Sequence, residues 1–234
     1  MANIIKLGSI LLDGVHTNPG VEYQPNKAIS FGEGNDISWV IVNGLLIAAC
    51  PLLINTSWDD LNQQDLVFGR QFIIGGRSFI CRLLRVGEQE GDPNEWDAAL
   101  YVVGDDNDLW HWRKTVFWGQ ENAYGSYCSL RGLTSARFYR WKPAFNKNEF
   151  YGFRPALEPI ASESLTPETR VCAIGGQSVL YGTLLETTDY DVLVQPEQTS
   201  MMANVDTGNL YTKLQDGTII LNRHLMTVQI IEEE

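Results

Sequence analysis

Short apolar runs, rather than long amphipathic ones, organise this chain. They are rich in β-branched and aromatic residues and bounded by Gly, Asn, Asp or Pro, while helical 3.6-residue periodicity is scarce. Ile37–Ile47, Gln71–Ile74, Ser78–Leu84 and Leu100–Val103 read as strands, with Gly75-Gly76 as a hairpin turn. Two short helices are also predicted. Ser57 precedes Trp58-Asp59-Asp60-Leu61, so a hydroxyl cap is followed by acids that suit the positive end of a helix. Asn94-Glu95-Trp96-Asp97-Ala98-Ala99-Leu100 predicts the other, with Asn94 or Asp92 near its cap.

The pattern changes after Pro155. Pro159, Ser162, Ser164 and Pro167 mark a linker or crossing segment. Six short strands are then expected, at Arg170–Ile174, Ser178–Leu185, Tyr190–Val194, Leu210–Leu214, Thr218–Leu221 and Leu225–Ile231. Gly175-Gly176 and Asp216-Gly217 supply turns, the second being the clearest hairpin signal in the chain. Glu232-Glu233-Glu234 reads as a solvated end. The chain thus divides into an N-terminal β-rich segment, 1–65, packed on a main domain, 66–158. Residues 159–234 are an acidic β-rich module, or strands that complete the fold.

Composition limits what such a chain does. Its 234 residues include 44% hydrophobic residues, Trp 7, Tyr 9 and Phe 9, which supply a core and exclude general disorder. The net charge of −12 argues against nucleic acid as a partner, since phosphate binding needs a cationic face. That charge is uneven. Residues through Leu157 carry 14 basic and 17 acidic side chains; from Glu158 onward there are 3 and 12, and all seven tryptophans lie in the first part. The N-terminus shows neither a basic region nor a continuous apolar one, so no secretory signal is expected. The longest apolar stretch, Val40–Ile54, is broken by Asn43, Gly44 and Pro51, so no membrane insertion is expected.

Little points to catalysis, a cofactor or a metal. Cys50, Cys81, Cys128 and Cys172 are scattered without ligand spacing, and Cys50 and Cys81 read as buried thiols. His16, His111 and His224 are isolated, without a neighbouring Ser, Cys or Asp in a catalytic motif. Asp105-Asp106-Asn107-Asp108 lacks the glycine and downstream glutamate of an EF-hand and reads as a polar turn.

The informative stretch is Trp118–Leu157. Tyr124, Tyr127, Phe138, Tyr139, Trp141, Phe145, Phe150, Tyr151 and Phe153 crowd it, interleaved with Ser126, Ser129, Lys142, Asn146, Lys147 and Asn148. No single period turns all these rings inward. Rigid rings beside small polar groups are the chemistry of an adaptable binding surface. Packing of an irregular region accounts for the same composition, and the residues alone leave both readings open.

A family resemblance bears on that choice. The order Asn94-Glu95-Trp96-Asp97, Trp110-His111-Trp112, Arg131-Gly132-x-x-Ser135-Ala136-Arg137, Gly152-Phe153-Arg154-Pro155-Ala156-Leu157-Glu158 resembles a C-type-lectin-fold family. This is the branch shared by formylglycine-generating-enzyme-like domains and the variable proteins of diversity-generating retroelements, often encoded by phages and prophages. It covers roughly Leu66–Glu158. The resemblance implies an α+β, C-type-lectin-like fold with short helices and irregular loops, plus the β-rich C-terminal extension. It implies that Arg131, Gly132, Arg137, Gly152 and Arg154 are scaffold. It further implies a diversified ligand face at Tyr124, Ser126, Tyr127, Ser129, Phe138, Tyr139, Phe145, Asn146 and Asn148, with Trp141, Lys142 and Lys147 as neighbours. Trp110, Trp112 and Trp118 are expected in the core. The enzymatic branch needs a paired-cysteine copper site, and Cys128 stands alone in its segment, so no oxidase activity is expected.

The expected function is non-catalytic binding of a protein or carbohydrate ligand on a cell surface, as in phage host recognition. The alternative is a structural tail or fibre-tip subunit, with homo-oligomer or virion partners. Localisation follows: a virion tail tip or a prophage product without a signal peptide, or else export to the cell surface by a non-classical route.

Overall fold

Turn chemistry sets the strand boundaries. In the computed structural model, which describes residues 2–203 and 209–231, Asn43 and Gly44 both take left-handed backbone, at φ 51° and 77°. They turn Ser38–Val42 back onto Leu45–Ala48. Ile37–Ile47, read above as one strand, is therefore a hairpin on an Asn-Gly turn, whose twist matches that of paired strands. Gly75-Gly76 joins Arg70–Ile74 to Arg77–Leu83 as expected. The next glycine turn sits one residue later than expected: Gly175 pairs with Ser178, leaving Gly176-Gln177 at the bend. At Asp216-Gly217 the Asp216 carboxylate accepts from the Thr218 amide at 3.0 Å and fixes the hairpin of Tyr211–Lys213 with Ile219–Asn222.

The helices are short and side-chain capped. Helix α1 (Trp58–Asn62) starts with a reciprocal capping box between Ser57 and Asp60. Helix α2 (Glu95–Val103) is capped by Asn94, whose side chain accepts from the Asp97 amide, and it ends at Gly104, φ 85°. Leu100–Val103, expected as a strand, is its last turn; the cap starts a helix that nothing interrupts before Gly104. Helix α3 (Asn107–Trp110) replaces the expected polar turn, because Asp106 accepts from the Asp108 amide and caps it.

Strand accounts for 46% of the chain and helix for 8%, which makes this a β-rich fold with a few short helices. Among the described residues the first sheet runs, in spatial order, Ile4–Lys6, Ser38–Val42, Leu45–Ala48, Pro155–Pro159, Arg77–Leu83, Arg70–Ile74. The second runs Tyr139–Pro143, Tyr127–Gly132, Val116–Tyr124, Tyr151–Phe153, Leu53–Ile54, Val21–Glu22. The third is built wholly from later residues: Tyr211–Lys213, Ile219–Asn222, Asp191–Pro196, Ser178–Thr187, Arg170–Gly175, Thr227–Ile230. A small sheet of Val15–Thr17, Ser9–Leu12 and Ile29–Gly32 completes the set. Each of the first two sheets thus joins a block of strands from 1–65 to a block of strands from 66–159. Glu232-Glu233-Glu234 lie outside the described residues.

Three apolar clusters hold these layers. The largest draws Trp39, Trp118 and Phe153 together with Cys172, Ile174 and Val179 of the third sheet. A second packs Trp96 of α2 against Trp110 and Phe117, with ring centroids 4.9 Å apart in each pair. The third lies within residues 171–228. Each fully buried aromatic contributes roughly 4–6 kcal/mol of gross transfer energy, at about 25 cal/mol per Å² over 150–250 Å². Trp110 and Trp118 are buried as expected; Trp112 is half-buried, its indole N–H donating to the Asp105 carbonyl at 2.8 Å. Cys81 is buried, whereas Cys50 is only half-buried.

Candidate functional site

The candidate face is built on two antiparallel strands, Tyr127–Gly132 and Tyr139–Pro143, the second forming an edge of its sheet. Cys128 and Leu130 turn inward to the main core. Tyr127, Ser129 and Arg131 take the opposite face, directly across from Pro143, Trp141 and Tyr139. A segment at Val86–Glu88 lies over that face and divides it into a covered end and an open end.

At the covered end, Arg131 donates to the Val86 carbonyl at 3.2 Å and to the carboxylate of Asp97 on α2. Asp97 also accepts from Arg137 at 3.2 Å. The Ser129 and Tyr139 hydroxyls are 2.7 Å apart, and each reaches the Gly87 carbonyl at 3.0 Å. The Trp141 indole N–H donates to the Tyr139 hydroxyl at 3.2 Å and to the Glu88 carbonyl at 3.3 Å. Both carboxylate oxygens of Glu121 accept from the Val86 amide, at 2.9 and 3.0 Å. Burial pushes both the Glu121 carboxyl and the Tyr139 phenol above their ordinary values.

This geometry corrects the expected ligand face. Ser129 is 0% exposed and Tyr139 9%, so neither presents a surface to a ligand; they tie the edge strand to the 86–88 segment. Phe138 is half-buried, with the Arg140 guanidinium 5.8 Å from its ring. The Tyr124 side chain lies outside the described residues. The remaining positions are accessible. Tyr127 is 47% exposed, Trp141 41% and Phe145 68%, with Ser126 and Asn148 exposed beside them in sequence. Lys142 and Asn146 are half-buried. Lys147 pairs with Asp60 of α1 at 2.8 Å, and Asn148 accepts from the Phe150 amide at 3.0 Å, so both hold the 144–150 turn in shape.

The scaffold residues divide as well. Gly132 has φ 106°, and a Cβ there would lie 2.5 Å from the Thr115 carbonyl oxygen. Gly152 has ordinary backbone, but a Cβ would meet Pro51 at 2.8 Å and the Leu53 carbonyl at 3.0 Å. Arg154 is fully buried. It donates to the carbonyls of Ala48, Ala49 and Trp110 with its charge 4.9 Å from the Phe117 ring and 5.3 Å from Trp96. Burial without a carboxylate pulls its pKa down. Arg137 differs: its side chain is 51% exposed and serves only as the outer partner of Asp97.

Asp97, Glu121 and the Gly87 and Glu88 carbonyls complete the arrangement. Asp97 stands in a string singled out above, but nothing local marks Glu121 or the two carbonyls, which act through contacts 35 to 53 residues away in sequence.

The imidazole of His16, expected to be isolated, lies 2.8 Å from Asp36, which also accepts from Ser9. The serine rests on the carboxylate rather than on the imidazole, so the trio does not form the hydroxyl–imidazole–carboxylate relay of a serine nucleophile. What the strand pair offers chemically is a fixed set of rings, with one indole anchored through its N–H, beside amide and hydroxyl groups. Comparison with family models, with curated proteins and with solved structures finds no match.

Proposed function

We propose that this protein is a non-catalytic ligand-binding protein of the C-type-lectin-fold kind, related to the variable proteins of diversity-generating retroelements. The open end of the 127–143 strand pair and the 144–150 turn form its contact surface. The supporting observation is the exposure of Tyr127, Trp141 and Phe145 above a covered layer, Ser129, Tyr139 and Arg131, bonded to the 86–88 segment. Rings held this way lose little conformational entropy when a ligand covers them, the property that makes Trp and Tyr dominate interfaces. Ser126 adds an exposed hydroxyl whose side chain no covered residue depends on, and Asn148 adds an exposed amide while holding the turn through the Phe150 amide. The partner class is a protein or carbohydrate on a cell surface. Display on a phage tail tip suits it, with the acidic third sheet available as the mounting side. Cys128, buried with its thiol pushed up to about 12, is a core residue poorly suited to hold copper for an oxidase.

The test is binding of the full chain to panels of glycans and bacterial surface proteins, with Tyr127→Ala and Phe145→Ala, both exposed, combined. Binding lost by at least tenfold at unchanged unfolding free energy supports the reading. Equal binding by the double variant overturns it. Sequencing the flanking genes tests the diversification separately: absence of both a reverse transcriptase and a near-copy template repeat removes it.

A further inference from the structure

Four arginines of the described chain are buried, and three have clear counterparts. Arg82 meets Glu95 and Glu158, Arg131 meets Asp97, and Arg154 meets three main-chain carbonyls. Arg77 is different. It is 7% exposed, and its Nη1 donates to the Tyr181 hydroxyl at 2.8 Å and lies 3.6 Å from the Cys172 sulfur. Burial pushes both the thiol and the phenol up, so both partners are neutral. No carboxylate among the described residues lies within ion-pair distance of Arg77.

This guanidinium lines a cleft of about 370 Å³ between the first sheet and the third, with Lys6, Asn35, Gly75, Tyr181 and Thr199 around it. Lys6 makes no ion pair among the described residues. The acid in the wall, Glu33, accepts from the Gly75 amide at 3.1 Å. Arg170 shares the wall but is held by both carboxylate oxygens of Glu197, at 2.8 and 2.9 Å, and so frames the cleft. With Arg170 matched by Glu197, the cleft sets a buried guanidinium that has rings and neutral groups but no carboxylate partner, and one ammonium, against the single wall carboxylate of Glu33. It is therefore net positive on a chain of net charge −12.

We propose that this cleft is an oxyanion site: it takes a small ligand bearing a carboxylate or phosphate, with Arg77 as the main charge partner and Lys6 as the outer one. A planar guanidinium matches either group, and a low-dielectric wall strengthens the bond. The site is independent of the aromatic face, and a bound anion would bridge the third sheet to the first.

Titration calorimetry of the full chain with sodium phosphate and with sodium succinate, at fixed ionic strength against sodium chloride, tests this. Saturable single-site binding of at least one anion is expected, and whichever binds identifies the group recognised. Arg77→Gln lowers that affinity by about tenfold or more and Lys6→Ala by about threefold, as loss of a buried and an exposed charge partner implies. Anion-induced shifts of the Gly75 and Tyr181 amide resonances locate the site and hold even where Arg77→Gln folds poorly. Absence of saturable heat up to about 10 mM of either anion overturns the proposal. So does binding that Lys6→Ala leaves unchanged and that shifts neither amide.

Discussion

Replacing Tyr139 separates a covered layer from a ligand face by magnitude. Tyr139→Phe keeps the ring and removes only the hydroxyl, which bonds Ser129 at 2.7 Å, reaches the Gly87 carbonyl at 3.0 Å and accepts from Trp141 at 3.2 Å. The groups left behind are covered, so the loss includes their desolvation, and about 1–3 kcal/mol is expected. Tyr139→Ala also removes a ring that is 9% exposed and stands 5.5 Å from the Arg131 guanidinium, for a total of about 3–5 kcal/mol. Phe145→Ala, at 68% exposure, should stay within about 0.5 kcal/mol. Urea unfolding followed by tryptophan fluorescence measures all three. A cycle of Ser129→Ala with Tyr139→Phe should add a coupling of about 0.5–3 kcal/mol. A cost for Tyr139→Phe below about 0.5 kcal/mol, with no coupling to Ser129, would refute the covered-layer assignment and return Tyr139 to the ligand face.

Three further outcomes are expected. Asp97→Asn strips the nearly buried Arg131 of its counter-ion; since the Asp97 side chain is 27% exposed, the cost falls near the low end for such pairs, about 3 kcal/mol in urea unfolding. Gly132→Ala forces a side chain into φ 106° against the Thr115 carbonyl; a drop of about 3 kcal/mol or failure to express folded protein is expected, and a neutral result would contradict the backbone described at this strand end. Burial raises the Cys128 thiol from an ordinary 9.0 to about 12, so the unfolded chain releases that proton first and stability present below pH 9 is lost as pH climbs toward 12. Cys128→Ala should flatten the fall measured between these pH values by about 1.4 kcal/mol per pH unit, and an unchanged slope would contradict it.

The strands and caps were legible wherever the determinant is local. Ser57, Asn94, Gly75-Gly76 and Asp216-Gly217 act within a few residues of themselves. Asn43-Gly44 is as strong a signal, but it sits inside an apolar run whose flanks are both buried, and the run conceals the turn. Leu100–Val103 is misread for the opposite reason: its composition suits a strand, but a cap six residues upstream of Leu100 decides its state. The aromatic face was legible as composition and not as depth. In Tyr127–Gly132 every residue after Tyr127 is buried, so no alternation shows. One side meets the core and the other meets Val86–Glu88, a cover some 40 residues distant that no local pattern announces.

The position of Pro155–Pro159 has a kinetic consequence. It pairs with Leu45–Ala48 on one side and with Arg77–Leu83 on the other, so the last strand in sequence to join the first sheet fills its middle. Until residue 159 has left the ribosome, two hairpins each present an unpaired inner edge, and closing the sheet needs contacts spanning about a hundred residues. Such ordering predicts slow, non-local folding and a window in which those edges pair wrongly. Deleting Pro155–Pro159 alone would therefore remove far more than five residues' worth of structure: the first sheet would remain two separated halves.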